Sequence, residues 1–546
     1  MSSRVLRLGQ GVVLPVVVAS ILGSWLLTQH VGIDSDGTTY VAAARQLMSG
    51  RPPESVTYRP LYAFLLGLVL RTGIGPESAG QIVSLVFWIA LVPLVCSLGR
   101  RLYGTETGIV AAWLISVYPG LSWQAGAVLT TTTYTFLLVG CVLCGWVAVA
   151  EARLWYFAVA GALSGLASLV RPEGVGVLVC ALMAFIAVGG LQRWGRARWL
   201  RLCVGLVIVV ASFGAVSVPY RSWARAHGAS REGTVLDAVA FVDRVGGGAA
   251  YFEDKFAEER VSYDLPKPTT ERREVDRRSV LSLGRKFASS AEKLYTEVLP
   301  SVFPPLLLMF AGVGLFLSSA EGRGMPWDRH CYVLCYVLPC LAVYAATLFM
   351  PRYLLPLCAL MVPWCARGIV RTADEWSQRR RGLGEVGEDT IAHLGARYRF
   401  LLTALVVASL LPQTVKPVVT YPRVYEEIEA GHWIREHTPR AAVLMCRSHQ
   451  LGFYAERKYI AIPWASEREI LEHARKMKVD YFVVNEDKIP RLRPQLARLL
   501  DERNVPADWV KVQEVKGRPG RGIRLYRTPF AGEPAGRQAA PQGPPP

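Results

Sequence analysis

Asp34 and Asp36 stand two positions apart, a few residues beyond the first apolar stretch of a 546-residue chain. That stretch, from about Gly11 to Leu27, is nearly free of charge and long enough to cross a bilayer core. Tyr40, Ala44 and Leu47 follow the acids at helical spacing. Carboxylates at the rim of an apolar span suit chemistry at a lipid–water boundary, on a substrate that is itself partly lipid. A group transfer whose leaving group departs already charged needs no strong acid. One base then suffices to take the acceptor's proton, unlike the paired acids of most glycosidases. Asp36 is the first candidate for such a base and Asp34 the second. The competing role for this Asp-Ser-Asp segment is to cap the helix that begins at Gly37.

The elements that must position these acids are mostly membrane spans. The chain is 52% hydrophobic and only 19% charged, where soluble domains are nearer a quarter charged. Its apolar residues fall in runs of roughly 16–22, the length of a crossing helix. Spans are expected near 9–30, 79–98, 106–120, 126–150, 155–170, 174–191, 200–219, 301–319, 330–349, 353–370 and 400–418, about eleven in all. The fold class expected is therefore a polytopic α-helical membrane protein with a small C-terminal extracytoplasmic α/β domain. Arginines such as Arg100, Arg196, Arg329 and Arg380 crowd alternate short loops, which places those loops and the N-terminus in the cytoplasm. An odd number of spans then puts the C-terminal region outside. No small-residue cleavage site ends the first span, which reads as a retained anchor.

The net charge of +18 is largely that of the cytoplasmic loops facing anionic lipid, which argues against a nucleic-acid partner. Of 11 cysteines, all but Cys446 lie in or beside expected spans and read as small apolar packing residues.

Three outside regions interrupt the membrane part, which runs over 1–420. The first, 31–78, holds a helix from Gly37 to Ser49 and a second from Pro60 to Leu70. The second helix is too short to span, so its Tyr62, Phe64 and leucines are expected in the outer interface. The second region, 220–300, is long and polar. The third, 421–530, has short apolar runs at 441–446, 459–463 and 481–485 that read as buried strands. Ser466 and Glu469 form a capping-box pair, and Gly517 with Gly520 marks a closing hairpin. The Pro/Gly-rich tail, 531–546, is expected to be disordered.

Four motifs, in order, resemble the GT-C membrane glycosyltransferases, specifically the protein O-mannosyltransferase and aminoarabinose-transferase group (glycosyltransferase family 39-like). Asp36-Gly37-Thr38-Thr39-Tyr40 resembles that group's Asp-x-x-x-Tyr stretch after span one. Tyr58-Arg59-Pro60-Leu61-Tyr62 is similar to its entry into an interfacial helix, and Leu169-Val170-Arg171-Pro172-Glu173-Gly174 to a recurrent turn after span five. Pro351-Arg352-Tyr353-Leu354-Leu355-Pro356 resembles its Arg-Tyr-x-x-Pro element. The resemblance covers roughly 10–420. It implies a polyprenyl-phosphate sugar donor, a protein, lipid or glycan acceptor, transfer on the extracytoplasmic face of a bacterial inner membrane, and Asp36 as base or acceptor-positioning carboxylate. The chain departs from the pattern in carrying Gly37 where members have Glu, and Thr130 to Thr133 where many carry an acid.

Arg352, at an outer helix end, is the foremost candidate for the carrier phosphate, since a guanidinium offers two parallel hydrogen bonds. Its competing role is that of a lipid-anchoring arginine. Arg59, Tyr40, Tyr58 and Tyr353 complete the expected substrate-binding set, with an aromatic interface belt as the alternative for Tyr58 and Tyr62. Arg171 suits either a phosphate or an ion pair with Glu173, and the pair is preferred. Asp34, Asp36 and His30 offer too few ligands for a closed metal site, so no metal cofactor is expected, although an Asp-x-Asp doublet is compatible with a divalent cation. The rival class is a transporter or flippase of lipid-linked saccharides. It would place ionisable or broken segments at span centres in matched halves, and no such pattern is present.

Overall fold

The computed structural model describes residues 3–29, 31–53, 59–192, 195–227, 288–289, 291–317, 326–346, 351–382, 388–420, 424–463 and 465–530. Tyr58, His30, nearly all of the 228–300 region and the 531–546 tail lie outside the described residues. The chain divides into two units. One comprises Met1–His30, Thr39–Gly248 and Arg278–Tyr421; the other comprises Val31–Thr38, Ala249–Arg277 and Pro422–Pro546.

The first unit is helical. Its elements are α1 (Ser3–Gln29), α2 (Ser35–Met48, whose first turn falls in the other unit), α3 (Pro60–Leu70), α4 (Pro76–Tyr103), α5 (Thr105–Ser116), α6 (Pro119–Ala125), α7 (Thr131–Glu151), α8 (Leu154–Val170), α9 (Gly174–Leu191) and α10 (Arg196–Ala226). They continue as α11 (Ala291–Val302), α12 (Pro305–Phe316), α13 (Trp327–Ala346), α14 (Leu355–Gly382) and α15 (Glu388–Thr420). Each of the eleven expected apolar segments overlaps one of these helices. Among the described residues, six helices are long and apolar enough to cross a membrane, or seven with α11 and α12 taken as one span bent by 107°. The other expected crossings do not meet that measure, α5 and α8 because 12 and 17 residues reach only about 18 and 26 Å. The bend follows from Pro304, which has no N–H and an extended backbone (φ −50, ψ 136). Tyr118 Oη donates 2.6 Å to the Val302 carbonyl there.

Small residues bring helices together. A Cβ on Gly161 would lie 2.3 Å from the Val209 carbonyl oxygen, and Gly165, one turn on, would meet Val216 at 3.0 Å. This is the small-xxx-small packing by which membrane helices associate without a hydrophobic driving force. Two polar layers mark the ends of the bundle. At one, Trp364 Nε1 donates 2.9 Å to Tyr103 Oη, which lies 3.0 Å from His330 Nδ1. His330 begins α13 and Tyr344 ends it, about 21 Å apart along the axis. The Tyr344 end carries the candidate site.

Helix α3 is more than an interfacial element. Tyr62, Ala63 and Leu66 are fully buried, and Tyr62 Oη lies 3.1 Å from both the Gly80 carbonyl and Ser84 Oγ. Tyr62 is thus a core residue and not part of an aromatic belt, because its hydroxyl finds buried acceptors on α4. Phe64 and Leu68, by contrast, face outward as expected.

The second unit carries a five-stranded sheet in the order β2-β1-β3-β5-β4. Its strands are β1 (Val443–Cys446), β2 (Lys458–Ala461), β3 (Tyr481–Asn485), β4 (Val510–Val515) and β5 (Ile523–Arg527). Strand β1 runs parallel to β2 and β3, and β5 pairs antiparallel with β3 and β4. Met445, Phe482 and Val484 pack on one face, and Leu444, Cys446 and Val483 on the other. Period-two alternation with both faces covered explains why β1 and β3 read as continuous apolar runs. Helices α16 (Tyr425–His437), α17 (His449–Ala455), α18 (Glu467–Lys476) and α19 (Lys488–Leu492) surround the sheet, and α18 opens on the complete Ser466–Glu469 capping box.

Candidate active site

Asp34 precedes α2 and Asp36 lies in its first turn; both side chains are half-buried. The turn is closed by Thr38 N–H donating 3.1 Å to the Asp34 carbonyl, and by the Thr38 hydroxyl donating 2.7 Å to the Ser35 carbonyl. An acid in the first turn also complements the helix dipole. Among the described residues, no three His, Cys, Asp or Glu side chains gather as metal ligands.

Farther along α2, Tyr40 is buried and meets the Tyr62 ring edge-on, with centroids 5.1 Å apart. Tyr40 also lies within electrostatic reach of Arg171. Arg171 is the centre of the polar layer. It caps the C-terminus of α8 in an extended conformation and is 7% exposed. Its guanidinium carbon sits 4.4 Å from the Tyr353 ring centroid and 5.4 Å from that of Tyr134. The nearest Glu173 oxygen is 3.8 Å away, too far for a hydrogen bond, and Nη1 has no hydrogen-bond partner among the described residues. The two aromatic rings stabilise the cation without using its N–H donors. The Thr132 and Thr133 hydroxyls, at the start of α7, are likewise buried without a partner among the described residues. A buried polar group lacking a partner costs about 1–3 kcal/mol, so each of these is expensive unless something fills it.

The expected residues distribute around this centre unevenly. Tyr353 stacks on Tyr344 with centroids 6.5 Å apart, and Arg352 is half-buried with its guanidinium carbon 5.4 Å from the Tyr353 centroid. Arg59 is half-buried at the start of α3, where Pro60 occupies the first helical position, and it is within electrostatic reach of Tyr220. Tyr40, Arg352 and Tyr353 therefore gather about Arg171, whereas Arg59 is placed beside the end of α10. The Glu173 pairing favoured for Arg171 from sequence is only a long ionic contact. Tyr134 and Tyr344 were not singled out from sequence. For Arg171 itself the Arg-Pro-Glu turn was the local signal, and cation–aromatic stacking joins it to residues distant in the chain.

The family model described as dolichyl-phosphate-mannose-protein mannosyltransferase matches residues 53–215. No curated protein matches the chain in sequence. Among solved structures, ArnT from Cupriavidus metallidurans bound to undecaprenyl phosphate is similar with a TM-score of 0.56 at 13% identity, covering 95% of this chain and 99% of that one. The apo oligosaccharyltransferase of Archaeoglobus fulgidus aligns at 0.57 and 14% identity, over 87% of this chain and 69% of that one. Its form named AglB, in complex with an inhibitory peptide and a dolichol-phosphate, gives 0.54 and 13%, over 93% and 73%. In its matched segment and in its fold, this chain resembles the GT-C group of membrane glycosyltransferases.

Proposed function

We propose that this chain is an integral-membrane glycosyltransferase that moves a sugar from a polyprenyl-phosphate carrier to a protein, lipid or glycan acceptor on the extracytoplasmic face. The observation that carries the reading is Arg171, buried beside two tyrosine rings with one donor nitrogen without a partner among the described residues and Tyr40 nearby. Asp36 lies four residues before Tyr40 in α2. ArnT and AglB, similar in fold, are both captured with a polyprenyl phosphate, which supports the donor class.

The chemistry assigns each group one task. Arg171 and Arg352 hold the carrier phosphate, with Arg171 central, and Tyr353 and Tyr40 shape its pocket. Arg59 and Tyr58 contribute at the entry to α3. The acceptor O–H or N–H attacks the anomeric carbon while the bond from that carbon to the phosphate oxygen breaks. Asp36 takes the acceptor's proton, with Asp34 as the alternate base, and the polyprenyl phosphate leaves carrying its negative charge. The alternation of arginine along the chain supports an N-terminus in the cytoplasm with residues 421–530 outside, in what we take to be a bacterial inner membrane.

Mass spectrometry of envelope glycolipids and glycoproteins from a deletion strain tests the reading. One species should lose a sugar and regain it on complementation. An unchanged profile, with no binding of undecaprenyl phosphate to the purified protein, would overturn it.

A further inference from the structure

We propose that the C-terminal α/β unit is the positioning element for the acidic segment, and that Tyr454 and Gln450 hold the main chain from which Asp34 and Asp36 project. Residues Val31–Thr38 belong to the same compact unit as residues 422–546, although nearly 400 residues separate them in sequence. The segment is held at one point from both sides. Ile33 N–H donates 2.8 Å to Tyr454 Oη, and Gln450 Nε2 donates 3.0 Å to the Ile33 carbonyl. The Ile33 side chain is 1% exposed. Gly32 lies against Val424 so closely, at φ +96, that a Cβ there would be 2.0 Å from Val424 Cγ2. The residue before Asp34 therefore has both of its backbone groups satisfied by the C-terminal unit.

Behind Gln450 stands a rigid support. Lys488 Nζ donates to Gln450 Oε1 at 2.9 Å and to Ser448 Oγ at 2.8 Å, and it pairs with Glu427 at 2.9 Å. An ammonium has three donors, and these partners use all of them. Asn485, at the end of β3, reaches the same Glu427 oxygen at 3.4 Å. Ser448 and Gln450 follow β1, and Lys488 follows β3, at the carboxyl ends of parallel strands whose order reverses between them. Open α/β sheets receive ligands at that edge. Here the edge receives the chain's own Ile33.

A reacting carboxylate displaced by about 1 Å can lose on the order of 100-fold in rate, so holding the backbone at Ile33 has catalytic consequence. The inference rests on the proposed role of the Asp34/Asp36 segment. Tyr454 and Gln450 are positioning residues; they act through that segment.

Full-length Tyr454→Phe removes the acceptor for Ile33 N–H. Gln450→Glu keeps the shape and the Lys488 contact but replaces the donor facing the Ile33 carbonyl with an acceptor. In each variant, amide hydrogen exchange over residues 31–38 should quicken about 10-fold or more, while the strands of the C-terminal unit exchange as in the wild type. Undecaprenyl phosphate binding should stay within about two-fold, and product formation in the complemented deletion strain should fall about 10- to 100-fold. Unchanged exchange at 31–38, loosening of the whole unit, or wild-type product levels despite local loosening would each overturn the proposal. Asp36→Asn is measured beside them. If it sustains normal product formation, the proposed catalytic reading falls. If it is inactive while both positioning variants transfer normally, only the positioning role falls.

Discussion

Two cations, Arg171 buried in one unit and Lys488 partly buried in the other, are built to opposite specifications. Lys488 directs its three donors to Glu427, Ser448 and Gln450, all within 2.9 Å. Arg171 has its nearest carboxylate 3.8 Å away, tyrosine rings against its faces, and a nitrogen with no acceptor among the described residues. A saturated cation serves as a structural joint, because any ligand would have to displace an existing bond. An unsaturated one beside aromatic rings keeps a donor that the proposed function gives to the carrier phosphate. Under the proposed function, the difference separates a part that supports from a part that binds the carrier.

Asp36 offers the most severe test of the binding side. Asp36→Asn keeps the size of the side chain and its place in the first turn of α2 while removing the base. Transfer should fall about 10²- to 10⁴-fold, measured as product in a complemented deletion strain, with undecaprenyl phosphate binding retained. If the loss is small, Asp34 becomes the residue to replace next.

Arg171 comes second. Arg171→Ala should weaken undecaprenyl phosphate binding by about 2–5 kcal/mol, since its neighbours are desolvated. Arg171→Lys should recover only part of this, because an ammonium cannot both lie flat between rings and offer two parallel donors. Arg352 is half-buried, and Arg352→Ala should lose about 1.5–3 kcal/mol. Equal loss at both positions would erase the ranking between them. Tolerance of lysine at both would turn them into lipid anchors.

This ranking was only partly legible in the sequence. Hydrophobic runs gave helices in all eleven expected places, because an apolar stretch of that length has few alternatives. Arg352-Tyr353 and Asp36-x-x-x-Tyr40 stood out because each is a local pattern. Arg171 looked like half of an ion pair since Glu173 is two residues away, and nothing local reveals that Tyr134 and Tyr353 fold over it. The bond between Ile33 and Tyr454 was beyond reach for the same reason: it joins residues 421 positions apart. Periodicity reports which face is buried, not which distant groups share the burial.

On the supporting side, Lys488→Met leaves Glu427 buried at 9% exposure without its cation. Discounted for the residual exposure of Lys488, the C-terminal unit should lose about 2–3 kcal/mol, read as faster hydrogen exchange in β1 and β3. Adding Glu427→Leu should restore much of that, because the isolated charge is then gone. Failure of the second substitution to help would mean that Lys488 acts through Ser448 and Gln450 more than through the ion pair.

The smallest effect is a pH dependence in the same unit. His473 lies in α18, buried, and burial first and Lys476 second hold its pKa below the ordinary 6.5. The folded unit therefore takes up this proton less readily than the unfolded chain. Above pH 6.5 the imidazole is neutral in both states and contributes full stability. As the pH falls below 6.5 the unfolded chain is protonated first, and stability declines until the depressed folded pKa is passed. Denaturant midpoints of the full chain, followed by exchange in β1 and β3, should drop over that window. His473→Leu should flatten the drop, because no proton is then taken up on unfolding at this position. A slope unchanged by His473→Leu would remove His473 as its source.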